Sequence, residues 1–470
     1  MASAYFQQML AIIAAGAGGV AYPYRKTNEG VFMISRTGEI AKTASSAVGG
    51  GDVPIGGYLT SHLCVKAPAH FDEVALVFGN ATGSARTISG FSVAPGATMD
   101  DMTNSAAAGR ANFVAGSFGG SPGSTIGAGT DALCTYVKSD FIACSSVARA
   151  AGDAATWSIA GGKLADTYVE PLLHIRVAFP IDGGDQAAAN NTPMLGTLNF
   201  LTTTAEQPFN PPQPSESGRF LACTSSVNAS AQLSVGAATA LSGAVYGPFT
   251  GLVFCPVIGV VFKFRGNVIS VATAGDSLSE GAGLTGASIY RPWTVTGSEN
   301  SSAMDAPITH MPLYKSGQSS TTYLAYLSNC ISQGLVPTHA VFPVGTPNDG
   351  GVNLTNLAAF FSLCSAHDIH PVVWTTLPVG QVAPQAYSDP ATELARIAAN
   401  NSVRTGTVTG GTYSWMEMEL PSLTDSATPY ASIPAPLSDA IRLHPNNDGN
   451  AIMEAVFEDK LADLQAEYFP

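Results

Sequence analysis

Charge is scarce in this chain. Of its 470 residues only 11% are charged, and 20 Lys and Arg face 34 Asp and Glu, a net charge of −14. Such a balance repels phosphate backbones and anionic headgroups, and no Lys/Arg cluster overrides it, so nucleic acid is not an expected partner. Long apolar runs are missing as well. No stretch stays apolar over the roughly 20 residues that span a bilayer, which argues against integral membrane association. Residues 9–21, with Ile12 and Ile13 among Ala and Gly, have the make-up of a weak signal region. No Lys or Arg precedes them, however, and an ordinary N-terminal helix is the plainer reading.

Paired metal-ligand spacings are absent too. The seven cysteines (Cys64, Cys134, Cys144, Cys223, Cys255, Cys330 and Cys364) include no C-x-x-C pair and none of the tight Cys/His spacing of a zinc site. At least one cysteine cannot pair within the chain. Cys134 and Cys144 could close a short loop as a disulfide in an oxidising compartment, or stand as two buried thiols. Neither internal repeats nor heptads are visible.

What the chain does have is apolar residues (46%), 49 glycines and 30 prolines, the composition of a folded protein rich in tight turns. Its polar surface must be built largely from Ser, Thr, Asn and Gln, a pattern that points to an extracellular or periplasmic β-rich protein. The length exceeds what one core usually supports, so two domains are expected.

The rhythm of the text divides accordingly. After a segment over residues 1–50, residues 51–260 consist of short β-like runs, such as 73–78, 172–179 and 196–201, bounded by Gly, Ser, Asn and Pro. A β-sandwich is expected there, with a stiff proline-rich connector at 207–214. Over residues 261–470 strands alternate with helices. Strands are predicted at 268–274, 339–344 and 371–377, and helices at 321–333, 356–367, 392–400 and 448–467. That order implies a parallel sheet covered on both faces, with chemistry at the carboxyl ends of its strands.

At the end of the first of these strands stands Gly275-Asp276-Ser277-Leu278, followed by the glycine-rich turn Glu280-Gly281-Ala282-Gly283. A serine between a buried strand and a helix start exposes its hydroxyl and offers a backbone N–H to a developing oxyanion. It needs a histidine within reach to take its proton. Taken alone, Gly-Asp-Ser reads equally as an N-cap turn. Downstream, however, come Ser316-Gly317-Gln318, then Gly345-Thr346-Pro347-Asn348-Asp349 directly after a strand, and finally His444-Pro445-Asn446-Asn447-Asp448 opening the last helix.

These four elements, in this order, resemble the SGNH or GDSL hydrolase superfamily, over residues 275–450. The resemblance implies a three-layer, flavodoxin-like α/β domain with a parallel sheet, and a serine esterase that needs no cofactor or metal. It implies Ser277 as nucleophile, His444 as general base and then acid, and an oxyanion hole made of the N–H groups of Ser277 and Gly317 and the Asn348 amide. Two departures stand out. The family places an aspartate three residues before its histidine, where this chain has Ile441; Asp439 stands five before. Either Asp439 orients the imidazole or a backbone carbonyl does, leaving a Ser-His dyad, with Asp425 a distant third choice. The second departure is an extra residue in Gly345-Thr346-Pro347-Asn348. The run at 73–80 and 87–93 is similar to the sandwich preceding the catalytic domain in some secreted GDSL esterases, which implies a jelly-roll-like all-β module ahead of residue 261.

The implied substrate is a short-chain, acetyl-like ester, carried by a small molecule or by an acylated glycan as in a carbohydrate O-acetylesterase. Alternatives are a lipase or polyester hydrolase, or a carbohydrate- or surface-binding protein on a catalytically weak scaffold. Other features read as structural. His367-Asp368-Ile369-His370 could offer two metal ligands but has no third nearby. Asp276 and Asp349 suit backbone N–H bonds in turns, and Arg442 suits a surface ion pair.

Overall fold

The computed structural model describes residues 25–33, 47–48, 51–52, 58–80, 83, 85–96, 113–130, 133–148, 157–159, 162–164, 171–180, 220–226, 245–246, 257–285, 292–349, 351–378, 390–408, 411–424, 433–440 and 442–469. The segments read from sequence at 9–21, 196–201 and 207–214 lie outside these residues.

The C-terminal part is built on a five-stranded parallel sheet. In chain order its strands are β1 (Ile269–Gly275), β2 (Ile308–Tyr314), β3 (His339–Pro343), β4 (His370–Trp374) and β5 (Ser414–Met416). Spatially they run β2-β1-β3-β4-β5, every neighbour parallel. The helices are α1 (Ser277–Glu280), α2 (Trp293–Ser301), α3 (Ser320–Ser332), α4 (Leu354–Ala366), α5 (Pro390–Arg404) and α6 (Asn447–Tyr468). Because side chains alternate across a strand, β1 sends Ala272 and Ala274 to one face and Ile269 and Val271 to the other. The first face packs against Tyr323, Leu327, Phe360 and Val403 of α3, α4 and α5. The second packs against Trp293, Met453, Phe457 and Leu461 of α2 and α6. These are three layers in the doubly wound order, and the chain reverses its direction of strand addition between β1 and β3, where such folds open a crevice.

Two elements here carry little sequence signal. α2 reads Trp-Thr-Val-Thr-Gly-Ser-Glu-Asn-Ser, with no apolar stripe at helical spacing, and β2 contains Pro312, which is tolerated because β2 is the sheet's edge strand.

Ahead of this sheet lie two antiparallel ones, of five and six strands. The first runs Glu29–Met33, Val257–Phe264, Phe71–Asn80, Thr135–Lys138, with Ile142–Ala143 also paired to Phe71–Asn80. The second runs Val245–Tyr246, Phe220–Ser226, Tyr58–Lys66, Leu172–Pro180, Gly90–Gly96, Val114–Ala115. Strand Phe71–Asn80 is apolar almost throughout because both of its faces are covered. Ala75 and Val77 share a core with Met311, Leu313 and Tyr323 of the parallel-sheet region. Phe78, pointing the other way, meets the ring of Phe91 in the second sheet at 5.2 Å. The polar end of α3 covers the neighbouring strand's backbone: Gln333 Oε1 accepts from Tyr136 N–H at 2.6 Å, and Asn329 Nδ2 donates to Cys134 O at 2.8 Å. Cys134 and Cys144 are both buried free thiols, not a disulfide. Among the described residues no helix is long and apolar enough to cross a membrane.

Candidate active site

The glycine that ends β1 and the aspartate after it shape the turn that presents Ser277. A Cβ on Gly275 would overlap the Ser279 hydroxyl, so only glycine lets α1 fold back this tightly. Asp276 is the N-cap of α1, its Oδ1 accepting from Leu278 N–H at 3.0 Å. Ser277 therefore occupies the first helical position, where the N–H has no partner inside the helix. Trp293 holds the turn from the other side: its indole N–H donates to Leu278 O at 3.0 Å, and its own N–H donates to Asn450 of α6, also at 3.0 Å.

α6 brings in the histidine. His444 stands three residues ahead of that helix, whose N-cap Asn446 accepts from the N–H groups of Asp448 and Gly449. Its Nε2 lies 3.0 Å from Ser277 Oγ, and its Nδ1 lies 2.8 Å from Asp439 Oδ2. The two-residue displacement of the aspartate is absorbed in a closed loop. Asp439 N–H donates to His444 O at 2.8 Å, Leu443 N–H donates to Asp439 Oδ1 at 2.9 Å, and Arg442 adopts a left-handed φ of 58°. A Cβ on Gly283 would overlap Pro445 O, so glycine there lets the histidine loop settle against the serine turn.

The remaining motif residues sit on the loops after β2 and β3. Gly317, at φ 74°, lies in a turn tied down by Lys315 N–H to Gly275 O (3.2 Å) and Ser316 N–H to Glu280 Oε2 (2.6 Å). Asn348 lies in a short 3-10 turn, Pro347–Asp349, and its Nδ2 donates to Asp276 Oδ2 at 3.2 Å. The Thr346 hydroxyl donates to the same Asp276 oxygen. Asp276 is 1% exposed, and burial pushes its carboxyl above the usual carboxylate range. Asp349 turns away to cap α3, accepting from the N–H and hydroxyl of Ser320. Ser277, His444 and Asp439 thus form one hydrogen-bonded chain, while Gly317 and Asn348 stand on loops that bond back to the turn holding Ser277.

Glu280, Trp293 and Thr346 were not singled out by motif. Thr346 belongs to the lengthened Gly345–Asn348 loop and Glu280 opens the glycine-rich turn after Ser277, but neither run indicates the hydrogen bonds they make. The His367–His370 pair divides: His367 ends α4, while the His370 ring bonds Ser414 Oγ at 2.8 Å, and among the described residues no group of metal-binding side chains occurs.

No family model matches this chain, and no curated protein does. Solved structures do. A GDSL-like lipase from Bacteroides thetaiotaomicron is 18% identical, with 41% of this chain and 88% of that one covered and a TM-score of 0.31. A psychrotrophic esterase from Pseudoalteromonas is 19% identical, with 42% and 98% covered and a TM-score of 0.32. An acetylxylan esterase from Geobacillus stearothermophilus is 14% identical, with 41% and 93% covered and a TM-score of 0.30. Over about two-fifths of its length, this chain is similar to solved GDSL-type hydrolases.

Proposed function

We propose that this protein is a serine esterase of the SGNH type, acting on short-chain, acetyl-like esters through an acyl-Ser277 intermediate. The observation that carries the reading is the unbroken path from Asp439 through both nitrogens of His444 to Ser277 Oγ, at 2.8 and 3.0 Å. A hydroxyl is a weak nucleophile until a base takes its proton, and the base must be held in one tautomer by a third group. Here Asp439 accepts from Nδ1–H, leaving Nε2 free to receive the proton of Ser277.

Ser277 Oγ then attacks the acyl carbon, and the charge gathering on the carbonyl oxygen is received by the N–H groups of Ser277 and Gly317 and the side-chain amide of Asn348. His444 returns the proton to the leaving alkoxide. Water, deprotonated by the same imidazole, releases the acid and restores Ser277. No step calls for a cofactor. In this reading residues 261–470 carry the catalytic domain, and the antiparallel sheets ahead of it, whose strands also include Glu29–Met33 and Val257–Phe264 across the 260/261 boundary, form a jelly-roll-like accessory module that extends the substrate surface. The scarcity of charge suits a neutral acylated glycan, as for a carbohydrate O-acetylesterase. Long-chain esters and polyesters are the competing substrates.

Ser277→Ala tests the reading. Wild-type protein is expected to hydrolyse p-nitrophenyl acetate faster than long-chain esters and to be labelled stoichiometrically by a fluorophosphonate at Ser277. The variant is expected to lose both properties. Full turnover by Ser277→Ala, or no labelling of the wild type, overturns it.

A further inference from the structure

Two buried carboxylates flank the serine, and neither touches the Ser277–His444 pair by hydrogen bond. Asp276 precedes it and Glu280 follows it by one turn, at 1% and 8% exposure. Burying a carboxyl group is costly unless it is hydrogen-bonded, so these acids require another explanation. An N-cap alone does not supply one, because Ser, Thr or Asn would serve at Asp276. Each carboxylate instead reaches a loop remote in sequence. Asp276 Oδ2 accepts from the Thr346 hydroxyl and from Asn348 Nδ2 at 3.2 Å, some 70 residues on. Glu280 Oε2 accepts from Ser316 N–H at 2.6 Å, next to Gly317.

We infer that Asp276 and Glu280 are positioning residues that fix the two loops bearing the oxyanion donors, Asp276 working through Thr346 and Asn348 and Glu280 through Ser316. This deepens the esterase reading and rests on it.

The loop after β3 shows why such a tether is needed. Pro347 has no N–H to anchor the turn, and the extra residue displaces Asn348 along the chain. The Thr346 hydroxyl compensates by bonding in two directions. It donates to Asp276, and it accepts from Asn348 N–H at 3.3 Å, closing a turn two residues long, and from Asn348 Nδ2 at 3.4 Å. With Asn348 Nδ2 bonded to Asp276 Oδ2 at 3.2 Å and to Thr346 Oγ1 at 3.4 Å, the amide plane is set. On the other loop, Gly317 has a left-handed φ, and the carboxylate bond at Ser316 sets the direction of the following N–H.

The substitutions separate tethering from bulk. In Asp276→Asn, one of the two accepting oxygens becomes a donor that faces either Leu278 N–H, disturbing one bond, or the Thr346–Asn348 pair, disturbing two, at unchanged volume. Thr346→Val removes the hydroxyl and Thr346→Ser keeps it. Glu280→Ala removes the acceptor, whereas Glu280→Gln can still offer an amide oxygen to Ser316.

Two readouts are needed: turnover of p-nitrophenyl acetate, and hydrogen exchange of the backbone at 315–318 and 345–349. A displaced oxyanion donor costs less than a deleted one, so Asp276→Asn, Thr346→Val and Glu280→Ala are expected to lower kcat by about 10- to 100-fold with KM changed less than about threefold. Each is expected to speed exchange in its own loop only, with Thr346→Ser and Glu280→Gln recovering most of both. Unchanged exchange and kcat in these variants, or equal loss in the conservative ones, overturns the inference. If the wild type hydrolyses no ester while the variants still speed exchange, the esterase reading fails and the tethers stand.

Discussion

Asp439 stands five positions before His444, yet its carboxylate lies 2.8 Å from the ring Nδ1. The loop between them closes because Leu443 N–H bonds the other carboxylate oxygen and Arg442 takes up φ 58°, a conformation most side chains avoid. A spacing of three is therefore not required for an aspartate to reach the histidine ring; the backbone turn between them brings Asp439 Oδ2 to His444 Nδ1.

Asp439→Asn is expected to lower kcat by about 10²- to 10⁴-fold while leaving the fold and KM nearly unchanged, because an amide there stabilises the wrong imidazole tautomer. Turnover of p-nitrophenyl acetate at pH 8, with circular dichroism as control, measures it. A fall of less than threefold would mean that a backbone carbonyl orients the ring and that the site works as a dyad.

Most of the parallel-sheet region was legible from the sequence, and the exceptions have physical causes. β1, β3, β4, α3, α4, α5 and α6 each carry a run of apolar residues with the spacing of its element, since each is buried on one or both sides. α2 escapes because its contribution is concentrated in Trp293, and β2 because Pro312 imitates a break. The strand Glu29–Met33 escapes because five residues in a glycine-bearing stretch are too few to show a period. In the candidate site, motif order named Ser277, Gly317, Asn348 and His444, each just past a strand or just ahead of a helix. The hydrogen bonds of Thr346 and Glu280 were not, because they join segments 36 to 70 residues apart and no local pattern announces them.

Gly283→Ala is expected to lower kcat at least about tenfold. Its new methyl would overlap the carbonyl oxygen of Pro445 and press on the His444 Cβ at 3.0 Å, and backbone cannot yield as a flexible side chain can. A shift near 1 Å at a general base costs on the order of 10²-fold. The check is kcat together with the rate of fluorophosphonate labelling of Ser277, which are expected to fall in step.

Stability is expected to decline on acidification below pH 6.5. Burial drives the imidazoles of His310 and His370 down to about 3 and about 4, and His339 well below its ordinary value. Unfolded, all three titrate near 6.5. Between these values the unfolded chain binds more protons than the folded one, so the stability fully present above pH 6.5 is lost as pH falls toward the folded values. Each unit of depression is worth about 1.4 kcal/mol, and a loss of about 3 kcal/mol or more by pH 4.5 is expected. Urea midpoints at pH 7.5, 6.0 and 4.5 report it, and a flat profile would show that the rings are protonated in the folded protein.

Arg396 is expected to be the most costly single charge to remove. It is 2% exposed, its Nη2 lies 2.5 Å from Glu393, its Nη1 lies 2.7 Å from Glu419, and it also donates to Thr376 O at 2.8 Å. Thr376 in turn donates to Gly345 O, so the network ends at the loop that carries Asn348. Arg396→Met would leave Glu393, itself buried, without its counter-ion, at about 3 to 5 kcal/mol. Glu419 suffers less, because Arg404 and Asn400 still bond it. A buried pair replaced on both sides by apolar groups often costs little, since the desolvation of two charges disappears with their attraction. The double variant Glu393→Met/Arg396→Met is therefore expected to recover most of the loss in urea unfolding. Equal destabilisation of the single and double variants would show that Arg396 matters through Thr376 and the Gly345 loop, and not through its ion pairs.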